Sequence, residues 1–162
     1  MHGYIKRLFE PELKAALARA PAVAILGPRQ CGKSTLARTF LQRQHISHVF
    51  LDLQNREDRR KLAEPELFLQ AHRNQLVCLD EMQAVPDFFP FLRVEIDRDR
   101  RPGRFLILGS ASRDLLRQST ETLAGRIAFL DLTPFLLREV SPRIAWDKLW
   151  LRGGFHPDFS GA

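Results

Sequence analysis

The sequence predicts an α/β protein in which a mostly parallel, five-stranded sheet lies between helices, formed as a single domain of 162 residues. Three observations carry that expectation. Short apolar runs of strand length recur along the chain, and segments with helical spacing separate them. A glycine-rich turn joins the first run directly to a helix. With 44% apolar residues, the chain can bury one substantial core.

The elements follow in order. Residues 10–19 place Leu13 and Leu17 on one helix face, with Pro11 in the first turn and Pro21 ending the pattern. Residues 22–26 (AVAIL) read as a buried strand, and residues 34–41 (STLARTFL) as an amphipathic helix. A second strand covers 48–53, and a charged stretch then runs to Lys61. A helix over 64–72 has Pro65 in its first turn, and 75–80 is a third strand. Residues 86–97 read as a helix carrying Phe88, Phe91, Leu92 and Ile96, with Pro90 disturbing its start. A fourth strand, 104–108, ends at Gly109-Ser110; two short helices cover 114–123, and a fifth strand covers 126–130. Strands alternating with helices imply right-handed crossovers and a sheet covered on both faces. No internal repeat or low-complexity tract interrupts the pattern.

Composition narrows the function classes. No apolar run approaches the ~20 residues needed to span a bilayer, and the start of the chain lacks the apolar stretch and cleavage site of a secretory signal. No membrane role is therefore expected. Two cysteines, Cys31 and Cys78, argue for reduced thiols and a cytoplasmic protein rather than a disulfide scaffold. An oxidation-sensitive Cys31 is set aside in favour of the plainer reading, a filler at an unconstrained loop position. The net charge of +6 rests on 20 Arg and 5 Lys, which suits a nucleic-acid or acidic partner and equally an Arg-rich genome. The densest cluster, residues 98–104 (RDRRPGR), reads as a solvated connecting loop, and no aromatic residues interleave with it as a stacking platform would require. His45 and His48 lack the Cys or carboxylate partners of a zinc site.

Residues 27–34, GPRQCGKS, match the phosphate-binding pattern G-x-x-x-x-G-K-[ST] completely. Gly27 and Gly32 let the backbone bend and approach an anion closely. The loop amides and the helix N-terminus then face phosphate oxygens, across Gly27, Pro28, Arg29, Gln30, Cys31, Gly32, Lys33, Ser34 and Thr35. Lys33 is expected to reach the β- and γ-phosphates, and the Ser34 hydroxyl to ligate Mg²⁺. The third strand runs into Asp80-Glu81 at its carboxyl end, beside that loop, where ligands bind in open α/β sheets. Asp80 is expected to hold Mg²⁺ opposite Ser34, and Glu81 to orient the water that attacks the γ-phosphate. Ser110, ending the fourth strand, reads either as a sensor of the γ-phosphate or as a helix cap.

Together GPRQCGKSTLA, FLDLQ, CLDEMQAVPDF, LILGSAS, LAGR and PFLLREV resemble a family of prokaryotic AAA-type P-loop ATPases with a GPRQ-x-GK Walker A loop and a DE-x-Q Walker B region. The resemblance implies a P-loop NTPase fold with an additional strand between the Walker A and Walker B strands, here the one ending at Ser110. It gives Lys33, Ser34, Asp80 and Glu81 the roles already argued and matches Gln83 without explaining it. It also points to Arg126, in LAGR, as a candidate arginine finger from its own chain or a neighbour's, with Arg113 as competitor and a helix-end salt bridge as the plain alternative for either. Members usually continue into an uncharacterised C-terminal domain. The organisation expected here is an N-terminal helix (1–20), a P-loop core (21–140) and a truncated extension (141–162). A truncated gene product, a fragment and a free-standing core all remain open.

The leading expectation is an ATPase core using ATP and Mg²⁺, coupling hydrolysis to a DNA or protein partner, with room for a homo-oligomer. Adenine is the default base because no Asn/Thr-Lys-x-Asp guanine-reading motif occurs. A nucleotide-gated scaffold or switch with little turnover is the alternative. A small-molecule kinase stands third, disfavoured by the Asp80-Glu81 pair and by the absence of an Arg-rich lid.

Overall fold

The structure, a computed structural model, describes residues 4–110 and 121–140. Each apolar run becomes a strand: β1 (Ala22–Gly27), β2 (His48–Asp52), β3 (Leu76–Asp80), β4 (Phe105–Ser110) and β5 (Ile127–Asp131). Helices α1 (Glu10–Leu17), α2 (Lys33–Arg43), α3 (Arg56–Lys61), α4 (Pro65–Ala71) and α5 (Phe89–Arg98) intervene, and a turn of helix, α6 (Leu137–Val140), follows β5. The five strands form one sheet in the order β2-β3-β4-β1-β5. All its pairings are parallel. The strand expected between the Walker A and Walker B strands is present: β4 pairs with β1 on one side and β3 on the other.

Strand side chains alternate between the two faces, and each face has its own core. Ala22, Ala24 and Leu26 of β1, Val77 and Leu79 of β3, and Phe105 and Ile107 of β4 pack with Phe68, Leu69, Leu92 and Ile96 from α4 and α5. Val23, Ile25, Leu76, Cys78, Leu106 and Leu108 face the other way, onto Leu13 and Leu17 of α1 and Leu36, Phe40 and Leu41 of α2. Burying one such side chain stabilises the fold by about 1.5–3 kcal/mol. A slip of one residue in any central strand would exchange the two sets, so the register is strongly specified.

Three local features depart from the expectations. The charged stretch after β2 contains a helix, α3, with no buried residue. The Asn55 side chain caps it, accepting from the Glu57 amide at 2.8 Å. Glu57 and Asp58 in its first turn and Arg59, Arg60 and Lys61 in its last suit the helix dipole. The helix expected from Pro86 begins later: two 3-10 turns, Met82–Ala84 and Pro86–Phe88, precede α5, which takes Pro90 in its first turn. The arginine cluster is not uniformly solvated. Arg98, Arg100 and Arg101 are exposed, whereas Arg104 is buried and donates to the Glu95 carbonyl at 3.2 Å. Burial lowers the Arg104 pKa, against the opposing pull of Asp99 and Glu95. The helices expected over 114–123 fall mostly outside the described residues, as does Arg113.

Because α3 has no apolar face, its cap and charges carry it. Asn55→Ala is expected to lower stability by about 0.5–1 kcal/mol, read as a lower urea midpoint at unchanged slope.

Candidate functional site

The turn from β1 to α2 is shaped by backbone that few residues tolerate. Gly27, the last residue of β1, has no space for a side chain: an added Cβ would run into the Leu132 carbonyl oxygen and sit 3.0 Å from the Cys31 sulfur. Gln30 and Gly32 are left-handed, with φ of 63° and 90°. Gly32 is the N-cap of α2, and no side chain caps that helix. Its first-turn amides therefore have no side-chain acceptor from the cap, as an anion-binding helix start requires. Pro28, Arg29, Gln30 and Thr35 are exposed along this rim.

Cys31 departs from the unconstrained position expected for it. Its side chain is fully buried in the core beneath β1, packed with Leu36 and Ala37 of α2. The position faces inward, so an apolar or thiol side chain fits it and a charged one does not.

Lys33 is 6% exposed, with its ammonium inside the loop. Nζ donates to the carbonyls of Gly27 at 3.0 Å and Pro28 at 2.8 Å. An ammonium has three protons, and the third meets only the Cys31 sulfur at 3.9 Å, a weak acceptor. The two carbonyls offset the loss of hydration and hold the charge at the loop.

Asp80 ends β3 and is 4% exposed. Burial raises its pKa above the ordinary 3.8, the nearby charges of Glu81 and Asp52 add to the rise, and hydrogen bonds from the Ser34 hydroxyl and the Glu81 amide oppose it. Oδ1 of this carboxyl is buried without a partner. Asp52, which sequence reading did not single out, is the register partner of Asp80 on β2. An unpartnered carboxylate oxygen beside a hydroxyl from the phosphate helix is the donor chemistry of a hard divalent cation. Among the described residues no group of three or more His, Cys, Asp or Glu could hold a metal. The protein thus offers a partial ligand set, which fits Mg²⁺, an ion that keeps waters and shares substrate phosphates.

Glu81 follows directly with φ of 58°, an uncommon conformation for a residue with a side chain. Gln83 Nε2 donates to its Oε2, while Gln83 Oε1 is buried without a partner. Ser110 is half-buried at the end of β4 and pairs in register with Gly27. The structure therefore brings together the loop, Lys33, Ser34, Asp80, Glu81 and Ser110.

Arg126 is not brought to that group. It precedes β5, and its carbonyl accepts from the amide of Ala22, the first residue of β1. The loop leaves the other end of that strand, about 16 Å away at ~3.3 Å per residue. The guanidinium instead makes a bidentate pair with Asp97 on α5, at 2.8 and 2.9 Å. Within one chain this is the helix-end salt bridge weighed as the alternative; a residue ahead of a parallel strand starts at the wrong edge for the loop.

An all-parallel α/β sheet with a glycine-bounded loop at its carboxyl edge defines the class of P-loop proteins. A family described as an AAA domain matches residues 19–141, and the chain belongs to it. Uncharacterised proteins of Mycobacterium bovis and Mycobacterium tuberculosis are each 46% identical over 148 residues, covering 91% of this chain and 33% of theirs. The chain thus spans 33% of the length of these curated relatives. A Walker-type ATPase of Pyrococcus abyssi superposes with a TM-score of 0.61 at 19% identity, over 94% of this chain and 64% of its own. AMPPCP-bound DnaA from Aquifex aeolicus gives 0.63 at 13% identity, over 98% and 60%. Both structures share the fold, and family membership supports a nucleotide-binding, ATPase-like function. Among the described residues no helix is long and apolar enough to cross a membrane.

The raised pKa of Asp80 has a consequence for stability. Between 3.8 and the higher folded value, the folded state binds more protons than the unfolded, so this group's contribution falls as pH rises. Asp80→Asn, which keeps an acceptor for Ser34, is therefore expected to raise the melting temperature of the nucleotide-free protein at pH 7. The gain should vanish below about pH 4, where both states carry the neutral acid.

Proposed function

We propose that the chain binds ATP with Mg²⁺ at the 27–35 loop and hydrolyses the γ-phosphate, coupling that change to a partner. The observation that carries the reading is a buried Asp80 carboxyl beside the Ser34 hydroxyl, with its Oδ1 left without a partner. In this reading the amides of residues 27–35 cradle the phosphates, and Lys33 supplies their countercharge. Ser34 and Asp80 would hold the cation, which would supply positive charge against the phosphates. Glu81 orients and polarises the attacking water, and Gln83 fixes the Glu81 carboxylate. Ser110, beside Gly27, contacts the γ-phosphate or that water. Catalysis on these terms is positioning and charge stabilisation.

Arg126 is too far from its own chain's loop to touch the γ-phosphate. If it acts, it acts in a neighbour's site, and turnover per chain would then rise with protein concentration and lose that rise in Arg126→Ala. Salt-sensitive stimulation by DNA would identify a nucleic-acid partner.

A nucleotide-gated switch with little turnover has one observation behind it: Glu81 is already engaged by Gln83. The two readings part on Gln83→Ala, which should slow turnover several-fold if Gln83 positions Glu81, and speed it if Gln83 restrains it.

Lys33→Ala is expected to abolish ATP binding measured by calorimetry; unchanged affinity would refute the site. Glu81→Gln should keep ATP bound while slowing phosphate release by about 10²-fold. Equal turnover in variant and parent would remove Glu81 as the base.

A further inference from the structure

Arg7, in the segment before α1, is 3% exposed, and three parts of the chain share its guanidinium. Nε donates to Glu139 Oε1 at 3.0 Å, and Nη1 to the Cys31 carbonyl at 3.0 Å. Nη2 donates to the carbonyls of Thr133 at 2.6 Å and Pro134 at 3.4 Å. The guanidinium lies 4.3 Å from the centre of the Phe135 ring. Glu139 is equally committed: Oε1 also accepts from the Leu8 amide at 2.8 Å, and Oε2 from the Leu136 amide at 2.9 Å. One buried ion pair thus fastens the start of the chain, the phosphate loop and the segment that leaves β5.

A buried ion pair adds little net stability over apolar side chains of equal size. Its use lies in what it holds. Cys31 stands between Gln30 and Gly32, the two left-handed residues of the loop. In a trans peptide the carbonyl and the next amide point in opposite directions. Holding the Cys31 carbonyl on Arg7 therefore aims the Gly32 N–H away from Arg7. The Thr133 and Pro134 carbonyls on the same fork register that setting in the segment after β5. Gly27 adds a second contact, since its Cα packs against the Leu132 carbonyl with no room for a Cβ.

We infer that Arg7 is a positioning residue for the phosphate loop and that, through its shared fork with Glu139, the nucleotide state of the loop is transmitted to residues 133–140. This rests on the nucleotide site proposed above. It gives the site an outlet into the segment that leaves β5. Coupling of this kind is reciprocal: whatever grips residues 133–140 also tunes nucleotide affinity, by a factor on the order of 5–150.

The test uses AMPPCP with Mg²⁺ as probe and hydrogen exchange as readout. In the parent chain, AMPPCP is expected to slow exchange of amides in 133–140 as well as in the loop. Arg7→Lys keeps the charge opposite Glu139 but cannot reproduce the planar fork. It should weaken AMPPCP about tenfold and, at saturating probe, abolish the slowing at 133–140 while leaving that in the loop. Glu139→Gln serves as the second variant if Arg7→Lys does not fold, with the same loss expected at 133–140. Parent-like protection of 133–140 in a folded variant would overturn the coupling, and so would its absence in the parent with probe bound. Failure of the parent to bind AMPPCP at all would instead overturn the nucleotide site, and with it this inference.

Discussion

The approach of the Ser34 hydroxyl to the Asp80 carboxyl depends on a strand that neither residue belongs to. β4 lies between β1 and β3, so the ends of those strands are two strand spacings apart, about 10 Å. With β4 interposed, α2 carries Ser34 across the gap, and Ser110 at the end of β4 stands between the two sides. Strand order thereby sets the width of the cleft.

Charge at the cleft is arranged at a cost. Asp52, Asp80 and Glu81 sit at the same edge of the sheet, and their mutual repulsion adds to the burial that opposes ionising Asp80. Glu81 is held in a left-handed backbone as well. Strain and crowded like charges concentrated at one end of an otherwise regular sheet mark where ligand chemistry, rather than folding, dictates the residues. The opposite edge differs. There Arg126 and Arg100 meet Asp97, and Arg104 meets Glu95 and Asp99, in pairs that join elements together.

Much of this was legible in the sequence because the signals were local. The five apolar runs became the five strands, and the phosphate pattern carried its own backbone geometry in Gly27 and Gly32. What escaped reading was non-local or lacked an apolar pattern. α3 buries nothing, so hydropathy is silent on it; Asn55 followed by acidic and then basic residues was the available signal. Arg104 belongs by sequence to a solvated cluster, yet it directly precedes β4 and turns inward. Arg126 illustrates a different gap. Sequence reading put Arg126 at the start of the fifth strand, but in a parallel sheet that position lies at the edge away from the loop. Arg7 and Glu139 are 132 residues apart, and nothing in either neighbourhood points to the other.

The enclosure of Lys33 has a practical side. Its amine is wrapped by two carbonyls, whereas Lys6, Lys14 and Lys61 are exposed. Acylating reagents are expected to attach dyes or supports at Lys6, Lys14 and Lys61 ahead of the loop's own amine. Labelling through those three amines would leave Lys33 in its carbonyl cage.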